Sequence, residues 1–278
     1  MSCPDCFKGS VHDGKPRGKT FNLYGLDTYV VEPSQGKDAK GIIVVIPDAF
    51  GWDFVNCRLL ADHYADKSNY KVYLPDFMIG PSAPVSGLEK MHIAMAPGNL
   101  LRRGYNLLMA LWVFVPFMIR NRFGKTFPIV KRFFEQLRKE EGSTLPVGVA
   151  GFCWGGKHAI LLAHGHQGEG KTLIDAAFTG HPSALSLPSD FDKITLPVSI
   201  AVGDSDSQFP ITNVEKMKPI LYGKPESARG EIQVYPSAGH GFCVRAAMDT
   251  KGMAEQAAVA EDQCIAWFDK QFKKRSQL

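Results

Sequence analysis

Between Val147 and Gly156 the chain reads VGVAGFCWGG, and no other stretch constrains the fold as strongly. An apolar, strand-like run leads into Gly151-Phe152-Cys153-Trp154-Gly155, and helix-forming residues follow. A strand that passes into a helix through so tight a turn holds its central residue in strained backbone. Glycines two positions to either side remove the clashes there. The side chain of Cys153 then projects from the carboxyl end of a sheet strand. The amide of Trp154 falls at a helix N-terminus, where it can donate to a developing oxyanion, and the same dipole favours a thiolate. The pattern is G-x-S-x-G with sulfur in place of oxygen. Taken alone, it describes equally well a tight turn around an inert, buried cysteine.

The rest of the chain supplies the frame such a turn requires. Gly41–Pro47 (GIIVVIP) is a β-branched run suited to a strand buried on both faces. Strands are also expected around a turn at Gly25 within Lys19–Val31, then over Tyr70–Leu74, Val147–Phe152, Ile174–Phe178, Val198–Val202 and Glu231–Tyr235. Helices are expected over Phe54–Ala65, Asn99–Arg122, Phe127–Glu141, Gly155–His164, Val214–Leu221 and Met253–Phe272, with Pro116 a kink or boundary. Alternating strands and helices argue for an α/β fold with a mostly parallel central sheet and helices on both faces. Residues 1–278 read as a single domain, with an irregular lead-in over 1–18 and a cap-like helical insertion at about 82–125.

Two later strands end in residues that complement Cys153. Val198–Pro210 (VSIAVGDSDSQFP) runs into a loop carrying Asp204 and Asp206, and Tyr235–Phe242 (YPSAGHGF) opens into a small-residue loop around His240. An acid at a strand end can accept a hydrogen bond from a histidine and fix its tautomer. Cysteine, aspartate and histidine follow in the chain order of an α/β-hydrolase, each just after an expected strand. His158, His164 and His166 lie in or beside the helix after the elbow, so His240 is the candidate base, with Asp204 or Asp206 as its partner.

These motifs resemble the dienelactone hydrolase (carboxymethylenebutenolidase) family of the α/β-hydrolase superfamily. The likeness runs from about Leu23 to Phe268 and is strongest at Gly151–Gly156, Gly203–Pro210 and His240–Phe242. The lead-in CPDCFKGSVHDG, followed by GLDTYV, is similar to fungal members. The resemblance implies a hydrolase that cleaves an ester or lactone through a Cys153-His240-Asp206 triad and an acyl-thioester, without cofactor or metal. It selects Asp206 by its spacing from Gly203 and Pro210. It implies an oxyanion hole from the amides of Ala49 and Trp154, and it makes Asp48, standing where the family usually has glutamate, a thiol-contacting candidate. Phe50, Arg245, Arg102 and Arg103 become substrate-binding candidates. Alternative readings are a broader esterase or thioesterase acting on a larger apolar substrate, and a non-catalytic binding protein on the same scaffold.

A formal charge of +4 over 278 residues, with no block of like charge, gives no sign of a nucleic-acid partner. Cys3 and Cys6 form a lone C-x-x-C with only His12 nearby, short of a zinc ligand set, so reduced thiols are expected. MSCPDCFKGS lacks the pattern of a secretory signal, so a cytoplasmic setting is expected. Leu107–Ile119 (LLMALWVFVPFMI) is shorter than the roughly 20 apolar residues of a spanning helix. It reads as a buried helix or a cap over the site, and secondarily as an interfacial element with arginines at its flanks.

Overall fold

The structure, a computed structural model, describes residues 10–34, 38–95, 97–168, 170–247 and 251–275. Cys3 and Cys6 lie outside them. A hairpin of β1 (Lys19–Leu23) and β2 (Leu26–Val31) opens the sheet, followed by β3 (Ile42–Ile46), α1 (Val55–Ser68) and β4 (Lys71–Pro75). The chain then leaves the sheet for α2 (Ser86–Met95), α3 (Leu100–Arg120) and α4 (Phe123–Lys139). It returns through β5 (Val147–Phe152), α5 (Trp154–Leu162), the small β6 (Gln167–Gly168) and β7 (Lys171–Thr172) hairpin, and β8 (Ala176–Gly180). The short α6 (Ser189–Asp192), β9 (Val198–Gly203), α7 (Ile211–Tyr222), β10 (Glu231–Tyr235), α8 (Phe242–Arg245) and α9 (Lys251–Arg275) complete the fold.

The main sheet has eight strands in the order β1-β2-β4-β3-β5-β8-β9-β10. β1–β2 and β2–β4 pair antiparallel, and every pair from β4 to β10 is parallel. The apolar run of β3 explains itself here. Ile43 and Val45 face a core shared with Tyr64 of α1 and Phe268 of α9, whereas Ile42, Val44 and Ile46 face one shared with Phe134 of α4, Ile160 of α5 and Met217 of α7. A strand buried on both faces has no place for a polar alternation. Because the strands are parallel, the residues following β3, β5, β8, β9 and β10 all emerge along one edge, where α/β sheets place their sites.

Three elements depart from the expectations. α2 is a helix where Pro84, Gly87 and Pro97 break the sequence pattern. It is held by α3, whose Phe114 ring would lie 3.0 Å from a Cβ on Gly87. α3 runs through Pro116 and ends at Arg120, and α4 starts four residues earlier than expected, bent by 56° from it. α3 is also not a buried helix. Asn106, Ala110 and Phe117 face the body of the protein, while Leu101, Leu108 and Trp112 are exposed. Among the described residues no single helix is long and apolar enough to cross a membrane.

Candidate active site

Cys153 occupies the junction between β5 and α5 with φ 52° and ψ −112°, a region that a non-glycine residue occupies only when its surroundings force it there. Those surroundings are close-packed. A Cβ on Gly155 would lie 2.1 Å from the Ile46 carbonyl oxygen of β3, and one on Gly151 would lie 2.3 Å from the Gly155 carbonyl oxygen. The glycines let α5 start directly against the sheet. The Cys153 amide donates to the Gly180 carbonyl (3.3 Å), and its carbonyl accepts from Gly156 (3.0 Å) and Ser183 (3.1 Å). The half-buried thiol lies 3.6 Å from Ser183 Oγ.

His240, in the loop after β10, and Asp206, in the loop after β9, are both buried. His240 Nδ1 lies 2.9 Å from Asp206 Oδ2 and 3.1 Å from Oδ1. Asp206 Oδ1 also accepts from the amides of Gln208 (2.9 Å) and Phe209 (3.3 Å), which fixes the carboxylate. Burial pulls the His240 pKa down, but the Cys153 thiolate and the Asp206 carboxylate outweigh it and raise the pKa to about 10. For Cys153, burial pushes upward and the charge and hydrogen bond of His240 overcome it, leaving the thiol below its usual range. Each group therefore favours the charged form of the other. Asp204 does other work. Its Oδ1 accepts from the Ser237 amide (2.7 Å) and Ser205 Oγ (2.9 Å), so it braces the exposed turn rather than the histidine.

His181 belongs to this cluster, and sequence reasoning passed over it. Its ring stands edge-on to His240 with centroids 5.0 Å apart, and it also packs against Phe152 and Phe242. Burial, then the positive charges of His240 and Arg245, hold its pKa well below the ordinary value. It is therefore a neutral wall for the His240 imidazole. The signal was its place in Gly180-His181-Pro182-Ser183, directly after a buried strand.

The loop after β3 brings Ala49 and Phe50 to the same edge. The Ala49 and Trp154 amides make none of the backbone hydrogen bonds that tie these loops together among the described residues. Phe50 is buried against Phe54, Phe114 and the Arg245 guanidinium, which lies 5.0 Å from its ring. Asp48 and Arg245 need correction. Asp48 Oδ2 forms a buried ion pair with Arg245 Nη1, and Asp48 Oδ1 accepts from the Phe50 amide at 3.0 Å. Asp48 is thus tied to the arginine while its charge still acts on the Cys153 thiol, and Arg245, 2% exposed, is a brace within the protein rather than an open carboxylate receptor. Arg102 and Arg103 also fall away from the site. α3 reaches the site through Phe114 against Phe50 and Phe117 against Trp154. Arg102 lies twelve residues before Phe114, about 18 Å along the helix axis.

The lead-in is stitched to this region. Ser10 N donates to the Arg245 carbonyl (3.2 Å), and His12 Nε2 lies 2.9 Å from the Ala246 carbonyl. His158 is a core residue, 3.1 Å from Thr126 Oγ1 and ringed by Trp154, Phe123 and Phe127. Burial and neighbouring Lys157 lower its pKa to about 3. Among the described residues no group of three His, Cys, Asp or Glu side chains gathers as a metal site.

A parallel sheet with a strained residue at a strand-to-helix elbow, and a buried histidine–carboxylate pair on the same edge, defines an α/β-hydrolase. The profile of the dienelactone hydrolase family matches residues 26–272, and the chain belongs to that family. Hydrolase pyvD of Aspergillus violaceofuscus is 26% identical over 270 residues, covering 97% of this chain and 96% of that protein. Dienlactone hydrolase 1 of Gibberella moniliformis is 25% identical over 242 residues, covering 86% and 82%. A solved structure of a candidate dienelactone hydrolase from Klebsiella pneumoniae shares the fold with TM-score 0.64 at 19% identity, covering 91% of this chain and 97% of that one. The protein is a carboxylic ester hydrolase, and an ester or lactone is its class of substrate.

Proposed function

We propose that the protein hydrolyses a small ester or lactone of the dienelactone type by two-step acyl transfer, with Cys153 as nucleophile, His240 as acid and base, and Asp206 orienting the imidazole. One observation carries this reading: the only strained residue at the sheet's central strand-to-helix elbow is a thiol coupled to a buried His240 that is itself fixed by Asp206. The thiolate attacks the carbonyl carbon, and the electron pair displaced onto oxygen is received by the amides of Ala49 and Trp154. Collapse breaks the carbon–oxygen bond. Because Nδ1 faces Asp206, the proton for the departing oxygen comes from His240 Nε2. The resulting thioester is attacked by a water whose proton passes to the now neutral imidazole, and the second collapse returns the thiolate and releases the acid. Replacement of Cys153 by alanine should abolish hydrolysis of activated esters and enol-lactones. Mass spectrometry of the wild type, acid-quenched during turnover, should find the acyl group on the Cys153 peptide. An unchanged rate in the variant would sink the proposal.

A cavity outside the cap favours a second reading, an esterase for larger acyl groups. An open cavity of about 610 Å³, lined by Leu185, Leu187, Pro188, Asn213, Lys216 and Ile220, begins two residues beyond Ser183, the thiol's neighbour. A series of esters of increasing acyl length separates the two. Rates that rise with chain length favour the larger substrate, and rates that fall favour the small lactone.

A further inference from the structure

We propose that the outer face of α3 is a docking surface for an anionic phospholipid bilayer, on which the enzyme lies with α3 parallel to the membrane plane. At about 100° per residue, Leu101, Leu108, Trp112, Val115 and Ile119 fall within an arc of about 60° on the helix. All five are exposed, Leu101 at 85% and Trp112 at 79%. The face opposite, with Asn106, Ala110 and Phe117, is buried in the protein, so the helix cannot turn its apolar side inward. An apolar strip of this size left in water marks an interaction site.

Charge selects the occupant. α3 carries Arg102, Arg103 and Arg120 and no aspartate or glutamate, and Arg122 and Lys125 follow at the start of α4, both exposed. Exposed Arg102 flanks the apolar strip at one end and Arg122 and Lys125 at the other, while Arg103 is turned to the Ala94 carbonyl of α2. A second copy of this chain, packed strip to strip in either direction, would bring arginine clusters together with no carboxylate on either α3 to offset them. Anionic headgroups offset them directly, while the apolar strip with Trp112 enters the boundary between headgroups and acyl chains. The inner face gives the docking a consequence. Phe114 meets Phe50, and Phe117 meets Trp154, so the helix that would rest on lipid also roofs the candidate site. An ester dissolved in the bilayer would be presented beside that roof.

The test uses the full chain and vesicles of pure phosphatidylcholine or of equimolar phosphatidylcholine and phosphatidylglycerol. The wild type should sediment with the mixed vesicles, more weakly with phosphatidylcholine alone, and less as salt is raised. Its tryptophan emission should shift to the blue, and Trp112→Phe should remove most of the shift, because Trp154 and Trp267 are already buried and Trp52 is half-buried under Arg58. Leu108→Glu and Trp112→Glu should each weaken binding about tenfold or more, the factor for withdrawing one large apolar side chain from an apolar environment. Arg102→Gln with Arg122→Gln should reduce the preference for phosphatidylglycerol severalfold. Both Leu108 and Trp112 are exposed, and melting curves of the variants establish that they fold. Failure of the folded wild type to bind mixed vesicles overturns the proposal, as does binding that both glutamate substitutions leave intact. A concentration-dependent dimer broken by Leu108→Glu, without vesicle binding, would also overturn it and assign the face to a second copy.

Discussion

His240 Nδ1 lies 2.9 Å from Asp206 Oδ2, in a pocket closed to solvent, while Asp204, two residues earlier in the same loop, is turned away to the Ser237 amide. This division sets the first prediction. Asp206→Asn removes the charge that stabilises the imidazolium and permits the wrong tautomer, so kcat/KM for an activated ester should fall by roughly a thousandfold or more. Asp204→Asn keeps a side-chain oxygen for the turn and should stay within a few-fold of wild type. Equal losses in the two variants would mean that the loop, not the carboxylate, is what matters.

The coupling of Cys153 to His240 predicts a characteristic dependence on pH. The thiolate forms as pH rises through the Cys153 pKa, which lies below the usual thiol range. Alkylation of Cys153 by iodoacetamide should therefore be fast at neutral pH. Cys57 and Cys243, whose pKa values burial pushes well above the ordinary value, should stay unlabelled in the folded protein. Hydrolysis should fall again above about pH 10, where His240 loses the proton that the leaving oxygen needs. Peptide mapping after a short pulse at several pH values measures the first limb, and initial rates measure the second. Uniform slow labelling of all the cysteines would remove the basis for a thiolate–imidazolium pair.

What the sequence could and could not convey follows from the range of the forces involved. β3 and β5 were legible because a strand buried on both faces must be apolar at every position; Cys153 was legible because it follows β5, and His240 because its loop of small residues follows the half-buried edge strand β10. α2 was not, since Pro84 and Gly87 disguise a helix that persists by packing on α3. Spacing alone could not separate Asp204 from Asp206, because the choice depends on which carboxylate the Tyr235–His240 loop approaches. The role of Arg245 was hidden for the same reason. Its partner, Asp48, is 197 residues away in sequence, and only the assembled sheet edge brings the two charges together. α3 gave a mixed signal, because its apolar run described both a core helix and a surface strip, and burial decided between them face by face.

The elbow makes a strict steric prediction. Gly155→Ala would place a methyl group 2.1 Å from the Ile46 carbonyl oxygen, which is backbone at the carboxyl end of a central strand and cannot rotate aside. Either α5 must lift from β3 or the sheet must shift, at a cost of about 1–3 kcal/mol or more. Lifting α5 also moves the Trp154 amide and the Cys153 thiol, so activity should fall further than the loss of stability explains. Urea unfolding together with kcat on an activated ester checks both. A variant of wild-type stability and rate would show that α5 does not start directly against β3.

Arg245 offers the last test, because its pairing with Asp48 gives it a different role from that of a substrate receptor. Removing one member of a buried ion pair leaves the other charged and desolvated, which costs about 3–5 kcal/mol, whereas replacing both with apolar residues avoids that penalty. Arg245→Met and Asp48→Leu should each lower the urea midpoint substantially, and the double variant should recover much of the loss. The kinetics carry a second discrimination. As a brace under Phe50, Arg245 supports the loop bearing Ala49, so Arg245→Met should depress kcat alike for a neutral ester and for one carrying a free carboxylate. A receptor for the substrate's carboxylate would instead raise KM for the anionic ester alone. That outcome, with stability unchanged, would return Arg245 to the substrate and detach it from Asp48.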